Sequence, residues 1–345
     1  MTSYLESLRN SLHEVMQRDN SVVVLGEDIL DPYGGAFKVT KGLATAFPDR
    51  VLTTPICEAT ITGIAVGLAL RGMKPVAEIM FGDFVTLATD QIVNHATKYY
   101  AMYNRDVDMP IVIRTPMGGG RAYGPTHSQS LEKLFFGVPY LKIVAPSHFH
   151  DAGEMLANAI NDTVPVLFIE NKLLYPLKLY LRTSENIIHT KIISNDGYST
   201  VIIQNYGEQQ KPDIALIAYG GLSRIIEPLM VKLKSEEIRV ITCFPGELNQ
   251  NFDEILFDIV RKTGRVVVIE EASADFGWGA EIATRIYSEL FNQLKCPIIR
   301  VGALSSVIPA SKSLEDRVLV SKDKIQQSIL EALNYGISPY QAATV

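Results

Sequence analysis

The sequence has little of what marks a secreted, metal-bound or nucleic-acid-binding chain. It holds three cysteines in 345 residues, Cys57, Cys243 and Cys296. They are too scattered for a disulfide framework or a metal cluster. They suit a reducing compartment, so a cytoplasmic protein is expected. The net charge is only −6, which removes any electrostatic case for nucleic acid. There is no charge block, low-complexity tract or internal repeat. The start, Met1-Thr-Ser-Tyr-Leu-Glu, has no cationic stretch leading into an apolar run, so no signal peptide is expected. The longest apolar run, Ile61 to Leu70, is ten residues and includes Thr62. A membrane span needs roughly 20, so no membrane partner is expected.

Chemical signatures are also missing. No GxxxxGK[ST] phosphate loop, GxSxG nucleophile elbow or zinc-spaced His/Cys cluster occurs. Gly277-Trp278-Gly279 lacks the third glycine of a dinucleotide loop and reads better as tight helix–strand packing. His13, His95, His148, His150 and His189 carry no partner pattern.

What is present is a strand-then-helix rhythm. Strands are expected at 22–25, 75–80, 111–113, 141–145 and 166–169. Helices are expected over 61–70, 85–100 and 151–160. The stretch from 177 to 206 breaks the rhythm and reads as a linker with a hairpin. Strands at 213–219, 238–243, 265–270 and 298–302 then alternate with helices near 222–234, 253–262, 280–292 and 323–333. Continuous apolar strands alternating with helices argue for parallel sheets covered on both faces. The expectation is α/β, two doubly wound domains, spanning 1–190 and 206–345 with 191–205 as linker.

Two motifs stand out. Glu58 opens the otherwise apolar helix of Thr54-Pro-Ile-Cys-Glu58-Ala-Thr-Ile-Thr-Gly63. A helix N-terminus tolerates a carboxylate. The same place also suits a functional acid with a raised pKa, and both readings stand. Gly118-Gly-Gly-Arg121-Ala-Tyr-Gly124-Pro-Thr-His127-Ser-Gln129-Ser follows the strand at 111–113. Loops after the carboxyl ends of parallel strands are where α/β proteins place their sites. Its glycines let the backbone pass close to a ligand. Cys57, next to Glu58, reads as a packing residue.

Taken in order, several strings resemble one family. They are Gly26-Glu27-Asp28, Gly34-Gly-Ala-Phe37, Arg50-Val-Leu-Thr-Thr-Pro55-Ile-Cys-Glu58, Pro75-Val-Ala-Glu78, Asp83-Phe84 and Asp90-Gln-Ile-Val-Asn94. Arg114-Thr-Pro116, Gly119-Gly120, His127-Ser-Gln-Ser130, Val144-Ala-Pro146-Ser and Lys262-Thr-Gly-Arg265 continue the series. The chain thus resembles the beta subunit of thiamin-diphosphate-dependent 2-oxoacid dehydrogenases, over nearly its whole length. That resemblance implies a transketolase-like pyrimidine-binding domain followed by a transketolase C-terminal domain. It implies oxidative decarboxylation of a 2-oxoacid with acyl transfer to a lipoyl carrier. An acetoin dehydrogenase or carboligase-type subunit is the alternative.

The resemblance also accounts for a further absence, the GDG…N motif. In the family the diphosphate and Mg2+ are held by an alpha subunit, in a heterotetramer of two alpha and two beta chains. A lipoyl-bearing transacylase is the expected further partner. Glu58 would bond the aminopyrimidine N1′ and favour its imino tautomer. Phe84 would pack on the pyrimidine, with Ile56 and Met80 lining the pocket. His127 would serve proton transfer or positioning during acyl transfer. A structural K+ is implied on the backbone carbonyls of Ile111, Ala159 and Asp162. One departure is Val240-Ile-Thr-Cys-Phe-Pro-Gly-Glu-Leu-Asn-Gln250, where the family's usual Asp-Leu-Arg-Thr-Leu is missing.

Overall fold

A computed structural model describes residues 2–103, 107–180, 188–193, 197–207 and 209–336. Ser3 and Glu6 form a reciprocal capping box that starts α1 (Tyr4–Arg18). Tyr4, Leu8, Leu12 and Met16 fall on one stripe of α1 and are buried. That stripe packs on α5 (Ala152–Ile160), capped by the Asp151 carboxylate.

The first sheet contains β1 (Val22–Gly26), β2 (Val51–Thr53), β3 (Lys74–Glu78), β4 (Val112–Met117), β5 (Lys142–Val144) and β6 (Val166–Asn171). Its order is β2-β1-β3-β4-β6-β5, and every pairing is parallel. A short helix α2 (Leu43–Ala46) precedes β2, and α3 (Glu58–Ala69) follows it. The chain runs from β1 to β2 on one side, then returns to place β3 on the other. That reversal is a switch point, where open α/β sheets bind ligands.

The helix expected over 85–100 changes pitch along its length. It runs as a 3₁₀ turn (Gly82–Ala88), a π turn (Gln91–Ala96) and α4 (Thr97–Met102). The apolar spacing still holds, since Val85, Ala88, Ile92 and Ala96 are all buried. The hydroxyls of Thr86, Thr89 and Thr97 donate to the carbonyls of Asp83, Val85 and Val93. Such back-bonding competes with the regular ladder and bends it.

The second sheet contains β7 (His189–Ile193), β8 (Thr200–Gln204), β9 (Ile214–Ile217), β10 (Val240–Phe244), β11 (Val266–Ser273) and β12 (Ile299–Ala303). Its order is β12-β11-β9-β10-β8-β7. The first four strands in that order are parallel; β8 and β7 add antiparallel at one edge. Around it lie α6 (Ser223–Ser235), α7 (Asp253–Thr263), α8 (Trp278–Leu290), α9 (Lys312–Val318) and α10 (Lys322–Leu333). The hairpin expected between 177 and 206 therefore belongs to this sheet. Residues 191–205, read as a linker, carry most of it, because Val201 and Ile203 are buried in the second core. Residues 181–187 and 194–196 of that stretch lie outside the described residues.

Backbone hydrogen bonds tie the two domains together. Ala145 donates to the Gly246 carbonyl at 2.9 Å, and Leu248 donates to the Ile143 carbonyl at 2.8 Å. The segment that departs from the family's Asp-Leu-Arg-Thr-Leu thus lies against β5. Among the described residues no helix is long and apolar enough to cross a membrane.

Candidate functional site

The carboxyl ends of the four neighbouring strands β2, β1, β3 and β4 lead into Ile56–Glu58, Glu27, Met80–Phe84 and the His127 loop. All the residues expected to hold the cofactor ring are therefore on one edge of one sheet. Gly26 must be glycine there, because a Cβ would stand 2.8 Å from the Glu78 carbonyl oxygen.

Glu58 is the first residue of α3 and only 4% exposed. Its side chain has no hydrogen-bond partner among the described residues. Beside it lies Glu27, which the sequence reading placed only within a family string. Glu27 is buried, and its Oε1 is unpartnered. Burial, then the charge of Glu58, raises the Glu27 carboxyl above its ordinary value. A buried carboxylate with no partner is costly in a finished core. The orphaned oxygen of Glu27, with the Glu58 charge acting on it at the switch point, marks an edge prepared for a polar ligand.

The same sheet edge carries an aromatic wall. The His127 ring lies 4.7 Å from Phe81 and 5.2 Å from Phe84, both edge-to-face. Phe81 and Phe84 themselves meet at 6.3 Å. Thr126 Oγ1 is 3.0 Å from His127 Nδ1. Asp83 holds the loop's far end, accepting from Gln129 Nε2 at 2.8 Å. The Lys172 ammonium donates to the His127 carbonyl at 2.6 Å. Lys172 had no signal in the sequence. Met80 is half-buried, whereas Ile56 is 82% exposed.

A buried ion cluster supports this edge from below. Arg114 on β4 makes a bidentate pair with Glu170 on β6 at 2.7 and 2.6 Å. Its remaining Nη1 pairs with Glu78 on β3. The Tyr175 hydroxyl donates to Glu170 at 2.6 Å. Burial opposes the Arg114 charge, but Glu170 and Glu78 outweigh it and raise the guanidinium's pKa.

Ile111, Ala159 and Asp162 lie elsewhere, near the amino end of β4. The Ile111 carbonyl accepts from Val166 at 2.8 Å and the Ala159 carbonyl from Asp162 at 3.3 Å. The Asp162 carboxylate accepts from Lys142 at 2.6 Å and from the Tyr198 hydroxyl at 3.0 Å. Among the described residues no cluster of three His, Cys, Asp or Glu side chains could hold a metal ion.

A cavity of about 860 Å3 opens between the domains, behind the His127 loop. Glu58, Met80 and Phe84 do not line it.

Comparison with known proteins follows this division of the chain. Residues 1–178 match the transketolase pyrimidine binding domain, and residues 206–325 match the transketolase C-terminal domain. The chain belongs to the transketolase-like dehydrogenase beta subunits. It is 32% identical to the acetoin:2,6-dichlorophenolindophenol oxidoreductase subunit beta of Bacillus subtilis, over 96% of this chain and 97% of that one. It is 34% identical to the pyruvate dehydrogenase E1 component subunit beta of Porphyra purpurea, over 95% and 96%. It is 32% identical to the 2-oxoisovalerate dehydrogenase subunit beta of Bacillus subtilis, over 96% and 99%. The fold matches a solved split-gene transketolase, described as an inactive beta4 tetramer, with a TM-score of 0.73 at 20% identity. That match covers 97% of this chain and 99% of the other.

Proposed function

We propose that this transketolase-like chain is the beta subunit of the decarboxylating component of a thiamin-diphosphate-dependent 2-oxoacid dehydrogenase. The observation that carries the reading is Glu58: a buried, unpartnered carboxyl at the switch point, on the same sheet edge as an aromatic wall. This arrangement fits a flat heterocycle with a basic ring nitrogen. When bound, thiamin diphosphate supplies the carbon centre that takes up the electrons of the departing carboxylate.

Glu58 would hydrogen-bond the aminopyrimidine N1′ and so favour the ring's imino form. Its buried place keeps water from competing for that hydrogen bond. Phe84 would cover one face of the ring, and Met80 and Ile56 would line its edge. His127 positions the incoming lipoyl group or moves a proton to it. Nothing in this sequence provides a GDG…N motif, so the diphosphate and Mg2+ belong to an alpha subunit that carries one. The exposed Ile56 fits that division, with two alpha and two beta chains sharing the sites. A lipoyl-bearing transacylase accepts the acyl group.

A K+ on the carbonyls of Ile111, Ala159 and Asp162 belongs to the same reading. Lys142 already balances the Asp162 carboxylate, so carbonyl dipoles alone would hold the ion. Three free cysteines, two of them buried, fit work in the cytoplasm.

Acetoin cleavage is the second reading, favoured by a relative of equal similarity. Product analysis with pyruvate, branched-chain 2-oxoacids and acetoin separates the two. The central test is co-expression with an alpha chain bearing GDG…N. The pair should decarboxylate a 2-oxoacid, the isolated chain should not, and Glu58→Ala should abolish activity. Full activity in that variant overturns the mechanism.

A further inference from the structure

The His127 loop is held from the other domain. Glu315 sits in α9 and is fully buried. Its Oε1 accepts the Gly120 N–H at 2.8 Å, and its Oε2 accepts the Ala122 N–H at 2.9 Å. One carboxylate therefore fixes two backbone groups of a loop 195 and 193 residues away in sequence. Both loop residues are in the left-handed region, Gly120 at φ +97° and Ala122 at φ +58°. For an alanine that conformation is strained and must be imposed by its surroundings. Hydrogen bonds from N–H groups to a carboxylate are charge-assisted and strong enough to impose it.

Packing follows the same line. A Cβ on Gly119 would come within 2.7 Å of Leu319 and 3.3 Å of Glu315 Oε1. A Cβ on Gly124 would meet Ala310 at 3.4 Å. The segment from 310 to 319 thus lies along the loop from Gly119 to Gly124. Lys312 lies 3.7 Å from Glu315 Oε2 and pairs more closely with Asp316. Farther along, Arg121 Nη2 donates to the Lys172 carbonyl at 2.9 Å, and the Lys172 ammonium grips the His127 carbonyl. The loop is fastened at Gly120–Ala122 by the second domain and at His127 by the first.

We propose that Glu315 is a positioning residue for His127, so that the second domain sets the histidine's place beside Phe81 and Phe84. An apolar contact would be enough to dock the domains. A buried carboxylate with two fixed acceptors does more: it selects one backbone path for the loop. A shift of the second domain would then move His127 directly. The proposal rests on the reading of His127 as the residue of the acyl-transfer step.

Two measurements test it. The first uses the whole chain and needs no partner. Hydrogen–deuterium exchange of the peptide covering 118–126 should quicken at least tenfold in Glu315→Gln, with β4 and β11 unchanged. Unchanged exchange overturns the anchor. The second uses the complex with its alpha subunit and compares acyl transfer to a lipoyl domain in wild type, Glu315→Gln, His127→Ala and the double variant. Glu315→Gln should lower kcat about tenfold with KM for the 2-oxoacid unchanged, and should add nothing in the His127→Ala background. Glu315→Asp, which keeps the charge on a shorter arm, should fall between wild type and Glu315→Gln in both measurements. Additive losses, or a wild-type rate in Glu315→Gln, overturn the positioning role. Full activity in His127→Ala removes the role assigned to His127, and with it the purpose of the anchor, while the exchange result still decides the anchor itself.

Discussion

The Lys172 ammonium donates to the His127 carbonyl oxygen at 2.6 Å from a position that is almost fully buried. Burial lowers its pKa to about 8, with Asp83 and Glu271 acting against that shift. At neutral pH the ammonium is therefore charged and committed to this one carbonyl. Lys172→Met keeps the apolar stem and removes the grip. The lost charged hydrogen bond, about 1.5–3 kcal/mol, is offset in part because no charge is buried any longer. Melting of the chain should change little, while acyl transfer by the complex should fall about tenfold. A variant with wild-type transfer would show that the grip is only structural.

Below the site, Arg114 pairs with two buried carboxylates, Glu78 and Glu170. Arg114→Met would leave Glu78 and Glu170 buried together without their counter-charge. Breaking a buried pair in this way costs about 3–5 kcal/mol. The variant should denature at clearly lower urea concentration, and the chain should regain stability when Glu170→Gln is added. Equal stability of Arg114→Met and wild type would refute the cluster's structural role.

Ile56 presents the opposite case, an apolar side chain left in water. No described residue covers it fully, so Ile56→Asp should leave the stability of the isolated chain within about 0.5 kcal/mol of wild type. Association with the alpha subunit should weaken instead, because a charge would be buried without a partner. Urea titration of the chain reads the first effect, and sedimentation of the mixed subunits reads the second. An unaltered heterotetramer would remove Ile56 from the interface.

These positions also show what a sequence carries and what it hides. The rhythm of apolar strands and helices was legible because burial on both faces leaves continuous Val, Ile and Leu runs. Glu58 and His127 were legible because each interrupts such a pattern: an acid heading an apolar helix, a histidine among glycines. Glu27, Lys172 and Glu315 were not. Each is a buried polar residue whose role depends on a partner far away in the chain, and no local spacing records that. The helix that carries Glu315, Lys312–Val318, has two turns and two buried residues, too few for a periodic signal. The hairpin at 189–204 was legible, but its membership of the second sheet was not, since edge pairing with β10 leaves no local mark.

Gly277 and Gly279, which the sequence suggested were packing glycines, lead to the last prediction. A Cβ on Gly277 would lie 1.9 Å from Glu270 Oε2, and one on Gly279 would lie 2.8 Å from Glu270 Oε1. Glu270 is 1% exposed, and neither oxygen has a well-formed hydrogen bond. The Gly279 N–H is close enough to favour the carboxylate but does not complete a bond to it. Burial dominates and pushes the carboxyl up to about 7. The folded chain therefore binds a proton at Glu270 that the unfolded chain releases near the ordinary value of 4.5. Stability from this group is complete below about pH 4.5 and is lost as the pH rises through about 7. The loss is up to about 3 kcal/mol between those limits. Glu270→Gln, which stays neutral, should abolish that part of the slope. Urea titrations of the chain at intervals from pH 5 to pH 8 measure it. Parallel stability curves for wild type and Glu270→Gln would mean that Glu270 ionises in the folded chain as it does in water.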